Sequence, residues 1–140
     1  MLRTSYQQCT GKVLIDPAIG DVEAVEALDL APFALLSHGT GADPVFNYGN
    51  RRALLLFELS WEQLTRLPSR LSAEPMLQAE RALLLARVAQ HGYIDDYTGV
   101  RISSSGQRFL IRNATVWNVL DDTGQPYGQA ALLPQWEALA

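Results

Sequence analysis

Residues 92–133 read GYIDDYTGVRISSSGQRFLIRNATVWNVLDDTGQPYGQAALL, and the two turn clusters inside this stretch decide the fold class. Ser103-Ser104-Ser105-Gly106 and Asp121-Asp122-Thr123-Gly124 gather the small and turn-forming residues that close hairpins. They divide the stretch into strands over about 93–102, 107–120 and 127–133, a three-stranded antiparallel meander. Strict alternation along the middle strand sets Phe109, Ile111, Asn113, Thr115, Trp117 and Val119 on one face and Leu110, Arg112, Ala114, Val116, Asn118 and Leu120 on the other. Apolar residues on both faces predict a central strand covered on each side.

Upstream of the meander the period changes. A long helix is predicted over about 73–91, with Met76, Leu77, Leu83, Leu84 and Val88 on one side and Gly92 just past its end. Before it, Asn50 is placed to cap a helix over 51–57, and Ser60-Trp61-Glu62-Gln63 forms a capping box for a short helix stopped by Leu67-Pro68. Phe33-Ala34-Leu35-Leu36 and Pro44-Val45-Phe46-Asn47-Tyr48 flank the Gly39–Asp43 turn cluster and predict a strand pair. Residues 1–31 read as helical, first through Leu2, Tyr6, Cys9 and Val13, then from Asp16-Pro17 through Ile19, Val22, Val25 and Leu28. The sum is an α+β fold, a five-stranded antiparallel sheet with helices inserted between strands 2 and 3 and a helical segment ahead of it. One unit over 1–140 is expected, with 1–31 as the N-terminal segment and 32–134 as the core.

Bulk properties narrow the function. The chain has 140 residues, 48% hydrophobic, enough to bury a core without a disulfide or metal staple. A formal charge of −4 disfavours a phosphate-neutralising surface, so no direct nucleic-acid partner is expected. Cys9 is the single cysteine, which rules out an internal disulfide and a Cys-rich zinc site. No run of eighteen apolar residues and no signal-peptide pattern occurs, so the expectation is a cytoplasmic domain with no membrane partner. Gly39-Thr40-Gly41 precedes a strand and lacks the later glycine of a dinucleotide loop, and Asp95 and Asp96 point to opposite faces of a strand. Neither supports catalysis, and no catalytic or metal-ligating residue is assigned.

Several ordered segments carry a family resemblance: Leu36-Ser37-His38-Gly39-Thr40, then Asp43 through Asn50, Leu67 through Met76, Gly92 through Ser103, and Ala114-Thr115-Val116-Trp117-Asn118. Over about residues 20–133 the chain resembles the MEKHLA family, a PAS-like domain found in stand-alone bacterial proteins and at the C-termini of plant homeodomain leucine-zipper factors. The resemblance implies a PAS-like fold and a sensory or regulatory role without enzymatic activity. No DNA-linked role is carried over, because no homeodomain or zipper is present in these residues.

A PAS-like domain commonly encloses a pocket between sheet and helices, and Tyr48, Asn50, Tyr97, Arg112 and Trp117 are the candidate ligand-binding residues, with Arg101, Asn113 and Asn118 also considered. Each has a plainer role available: a helix cap for Asn50, core packing for Trp117, a cross-strand contact for Tyr97 with Arg112. A register change of one residue moves any strand residue to the other face. The cofactor is unknown. Haem is not expected, since His91 sits at the end of the long helix, nor is covalently linked flavin, since no cysteine lies in the helical region after the first strands. Two readings stay open: a domain that binds a small ligand and signals through a partner protein, and an interaction or homodimerisation module with no ligand.

Overall fold

The computed structural model describes residues 1–74 and 77–139. Met76, expected on the long helix, lies outside the described residues. The elements run α1 (Leu2–Thr10), α2 (Asp21–Asp29), β1 (Ala34–His38), β2 (Phe46–Gly49), α3 (Arg51–Phe57), α4 (Trp61–Leu64), a 3-10 turn (Ser69–Ser72), α5 (Gln78–His91), β3 (Tyr93–Ile102), β4 (Arg108–Leu120), β5 (Pro126–Leu133) and β6 (Gln135–Ala138). Among the described residues the strands form one antiparallel sheet in the order β2-β1-β5-β4-β3, with β6 also on β4. The sixth strand is an addition to the expected five. It continues the register of β5 along β4 past Pro134, which has no N–H to give a ladder.

Two bulges set which side chains face the core. Ile94 pairs with Val116 and Tyr97 with Ala114, so β3 carries an extra residue at Asp95-Asp96; Tyr97 pairs with Ala114 and Gly99 with Ile111, so β4 carries one at Arg112-Asn113. Asn113 takes φ 55°, a left-handed conformation that Asn tolerates better than most residues. The alternation expected along β4 is therefore corrected. Phe109 and Ile111 share the inner face with Ala114 and Val116, while Trp117 and Val119 belong to the outer one.

Each face has its own cover. On the inner face Leu36, Phe46, Phe57, Phe109 and Ile111 pack with α3 and α4, and Leu84 and Val88 of α5 pack on Val116. Asn118 Nδ2 donates to the Val88 carbonyl at 3.0 Å and Gln129 Nε2 to that of Leu85 at 3.0 Å, tying α5 to the sheet. The outer face is covered by the N-terminal segment, where Tyr6, Leu14 and Leu28 pack on Leu35, Trp117 and Val119. Three expectations need correction. The second helix begins at Asp21, leaving Asp16-Pro17 in a turn, and Val22 and Val25 are 86% and 67% exposed because Ala24 and Leu28 form its buried stripe. The long helix begins at Gln78, and Leu83 is exposed. Val13 lies beyond α1 and is exposed.

Candidate functional site

Between the inner face of the sheet and α5 lies a cavity of about 60 Å³. Its wall combines apolar residues, Leu36, Phe46, Phe57, Leu84 and Ile111 among them, with the basic Arg81, Arg101 and His38 and the polar Ser37, Ser72 and Gln129. The basic lining follows from local geometry. On α5, Arg81 precedes Leu84 by three residues and Val88 by seven, so it falls on the stripe that faces the sheet, and it is only 8% exposed. On β3 the bulge sets Tyr97, Gly99 and Arg101 on the inner face, where Arg101 is 9% exposed. His38 ends β1 and is 8% exposed.

These groups are poorly compensated. Among the described residues no carboxylate pairs with Arg81 or Arg101 and none lines the cavity; Glu74 pairs with Arg108 at 2.5 Å and Glu58 with the hydroxyls of Ser103 and Ser105. Arg101 donates to its neighbour's carbonyl, Val100 O, at 2.8 Å, and its guanidinium lies 5.3 Å from the centre of the Tyr97 ring. His38 Nδ1 meets Gly39 O at 2.9 Å, while its Nε2 is buried with no partner. Burial, with Arg101 nearby, pushes the Arg81 guanidinium down to about 10, still charged at neutral pH. Burial pushes His38 below its ordinary value; the hydrogen bond to the Gly39 carbonyl opposes this in part, and the Arg81 charge adds a lesser push downward. The cavity thus holds two cations and a neutral imidazole with a free ring nitrogen. Chemically it is prepared to accept an anion.

Of the five candidate ligand-binding residues, Tyr97 lines this cavity. Its ring lies over Gly99, where a methyl group would collide with it. Asn50 is fully buried elsewhere, its amide accepting from Leu35 N and Ala53 N at 3.0 Å and donating to Leu28 O and Phe33 O at 2.9 Å. Trp117 lies on the outer face, its indole donating to Ser5 Oγ at 3.2 Å and its ring edge-on to Tyr6 at 4.9 Å. Tyr48 sits at an open groove beside α1 and α2, 6.1 Å from Trp61; burial, with Asp29 nearby, pushes its phenol up to about 12. Arg112 is on the surface, paired with Glu137 of β6 at 2.7 Å rather than with Tyr97. Asn113 is the bulge residue and Asn118 binds α5.

The sequence does not mark Arg81 as a candidate, and it offers His38 as a hydrogen-bonded turn residue with a charge change near neutral pH, not as a ligand-binding one. Arg81 had a legible signal, since counting back from Val88 and Leu84 at helical spacing lands on it, but a charged residue in a helix is ordinarily taken as solvated. The cavity is too small for haem or a flavin ring system, which need pockets of several hundred Å³. No cysteine lines it: Cys9 is on α1, its sulfur facing the carbonyls of Gly92 and Asn118 at 3.7 and 3.9 Å, and burial pushes its thiol up. The residues present fit neither group.

Comparison with known proteins agrees with this architecture. The model of the MEKHLA domain family matches residues 1–138. Over 130 residues the chain is 25% identical to the homeobox-leucine zipper protein ATHB-9 of Arabidopsis thaliana; the match covers 93% of this chain and 14% of that protein. Among solved structures, a PAS domain of a protein from Colwellia psychrerythraea superposes with a TM-score of 0.68 at 15% identity, over 84% of this chain and 95% of that one. A light-oxygen-voltage domain studied with a flavin analogue gives 0.62 at 15% identity, over 86% and 87%. The fold is PAS-like.

Proposed function

The chain belongs to the MEKHLA domain family, and on that premise we propose that it is a non-enzymatic sensory domain that binds a small ligand between its sheet and α5 and passes the change to a partner protein. The observation that carries this reading is the cavity of about 60 Å³ with an unpartnered imidazole nitrogen and two buried guanidiniums in its wall. Buried polar groups are ordinarily satisfied, and an unpartnered nitrogen beside two buried arginines that no carboxylate pairs, all lining one hole, supports a ligand that supplies the missing contacts. The route outward runs through α5, whose carbonyls are gripped by Asn118 and Gln129 while Arg81 borders the cavity.

The experiment is native mass spectrometry of the chain purified without denaturation, followed by a thermal-shift screen of metabolites. A stoichiometric added mass, or a saturable shift abolished by filling the cavity with Ala131→Leu, supports the reading. A bare chain that no metabolite stabilises overturns it. A second reading, an interaction or homodimerisation module with no ligand, is favoured by the exposed Val22 and Val25 on α2. Sedimentation equilibrium tests it: dimerisation lost in Val22→Ser with Val25→Ser supports it, and a monomer at all concentrations removes the homodimer.

A further inference from the structure

We propose that the cavity is an anion site whose ligand is a small carboxylate with a short apolar body, bound by Arg81 and Arg101. This deepens the sensory reading above and rests on it. The first step is charge. Two guanidiniums at 8% and 9% exposure face one cavity with no carboxylate against either among the described residues. An uncompensated buried charge is costly, and both arginines are close enough to raise each other's cost. A bound anion removes that cost and converts the repulsion into two charge-assisted hydrogen bonds. His38 gives Nδ1–H to the Gly39 carbonyl, so its unpartnered Nε2 can donate to the anion only when the ring is protonated; the two arginines carry the binding at neutral pH.

The second step is size and lining. About 60 Å³ corresponds to roughly four to six water-sized groups, at 10–15 Å³ for each. That suits a carboxylate with one to three further heavy atoms and leaves a nucleotide or an aromatic cofactor no room. Much of the remaining wall is apolar, Leu36, Phe46, Phe57 and Leu84 included, with Ser37, Ser72 and Gln129 as its polar members. Inorganic phosphate would leave these apolar residues facing a hydrophilic surface, whereas a short alkyl chain packs against them.

The test uses the whole chain at constant ionic strength, with sodium propionate, its neutral isostere propionamide and sodium phosphate as probes. Propionate is expected to raise the unfolding midpoint saturably and to give a calorimetric binding curve, with propionamide and phosphate at least tenfold weaker. Arg81→Met and Arg101→Met are each expected to lower propionate affinity roughly thirtyfold or more. Without ligand, Arg81→Met is expected to raise the midpoint by about 3 °C, since it removes an unpaired buried charge; this separates loss of binding from loss of folding. Equal shifts with propionamide, tighter binding of phosphate, or unaltered propionate binding by Arg81→Met each overturn the carboxylate assignment and leave the sensory reading standing. A neutral molecule found in the purified chain does the same. A chain that carries no added mass and responds to no probe or metabolite overturns both.

Discussion

Gly99 illustrates how a single missing atom shapes the site. On the inner face of β3 it lets the Tyr97 ring lie down over the backbone, from where that ring meets the Arg101 guanidinium. Gly99→Ala puts a methyl group into the ring and forces Tyr97 out of place, with an expected cost of about 1–3 kcal/mol in urea unfolding. Unchanged stability would show that the ring has another resting place. Asn50 works by the opposite means, filling all four hydrogen-bonding positions of its amide and joining the end of α2, β1 and the start of α3. Asn50→Ala removes the acceptor of two buried N–H groups and a donor from the carbonyls of Leu28 and Phe33, and roughly 3 kcal/mol or more should be lost from the urea-unfolding free energy. The cap was legible, because Asn before a helical run is a recognised start. The other three bonds were not, since they reach Leu28, Phe33 and Leu35 through the tertiary fold.

At the scale of elements, what the sequence displayed was periodicity, and what it concealed was where periodicity breaks. The span of β3, the capping box at Ser60 and the helix over 51–57 agree with the structure because each is set by local chemistry. The bulges at Asp95-Asp96 and Arg112-Asn113 carry no comparable local mark, yet they exchange the faces of half of β4 and so decide that Arg101 points to the cavity and Trp117 away from it. One result is an N-terminal helix fastened to the outer face by Tyr6 and Ser5 on Trp117. Tyr6→Ala removes a buried aromatic ring and should cost about 3–5 kcal/mol by analogy with Phe→Ala in cores. Because Trp117 is fully buried under this helix, release of α1 ahead of global unfolding should also appear as increased acrylamide quenching and faster amide exchange over 2–10. If stability falls while quenching and exchange keep their parent values below the transition, α1 does not open independently of the sheet.

For the molecule as a whole, the buried basic cluster should set the response to pH. His38 lines the same cavity as Arg81 of α5 and Arg101 of β3, and burial holds its imidazole below the ordinary value of 6.5. In the unfolded chain it takes up a proton near 6.5, whereas in the fold it resists one. The unfolded state therefore binds more protons as pH falls through 6.5, and stability that is fully present above that value declines down to the lower pKa of the folded state. Carboxylates do not produce this slope. Glu58, held low by the hydroxyls of Ser103 and Ser105, and Asp121, held low by Thr123 and the amide of Gln125, contribute stability above their ordinary values of 4.5 and 3.8 and lose it only below. Between pH 7 and 5 the unfolding midpoint of the parent chain should fall, and His38→Gln should flatten that fall. An anion seated on Arg81 and Arg101 makes a protonated His38 less costly, so saturating propionate should shallow the slope in the parent chain and leave the variant unaffected. A slope that persists in His38→Gln would place the titration on another group and remove this pH response from the cavity.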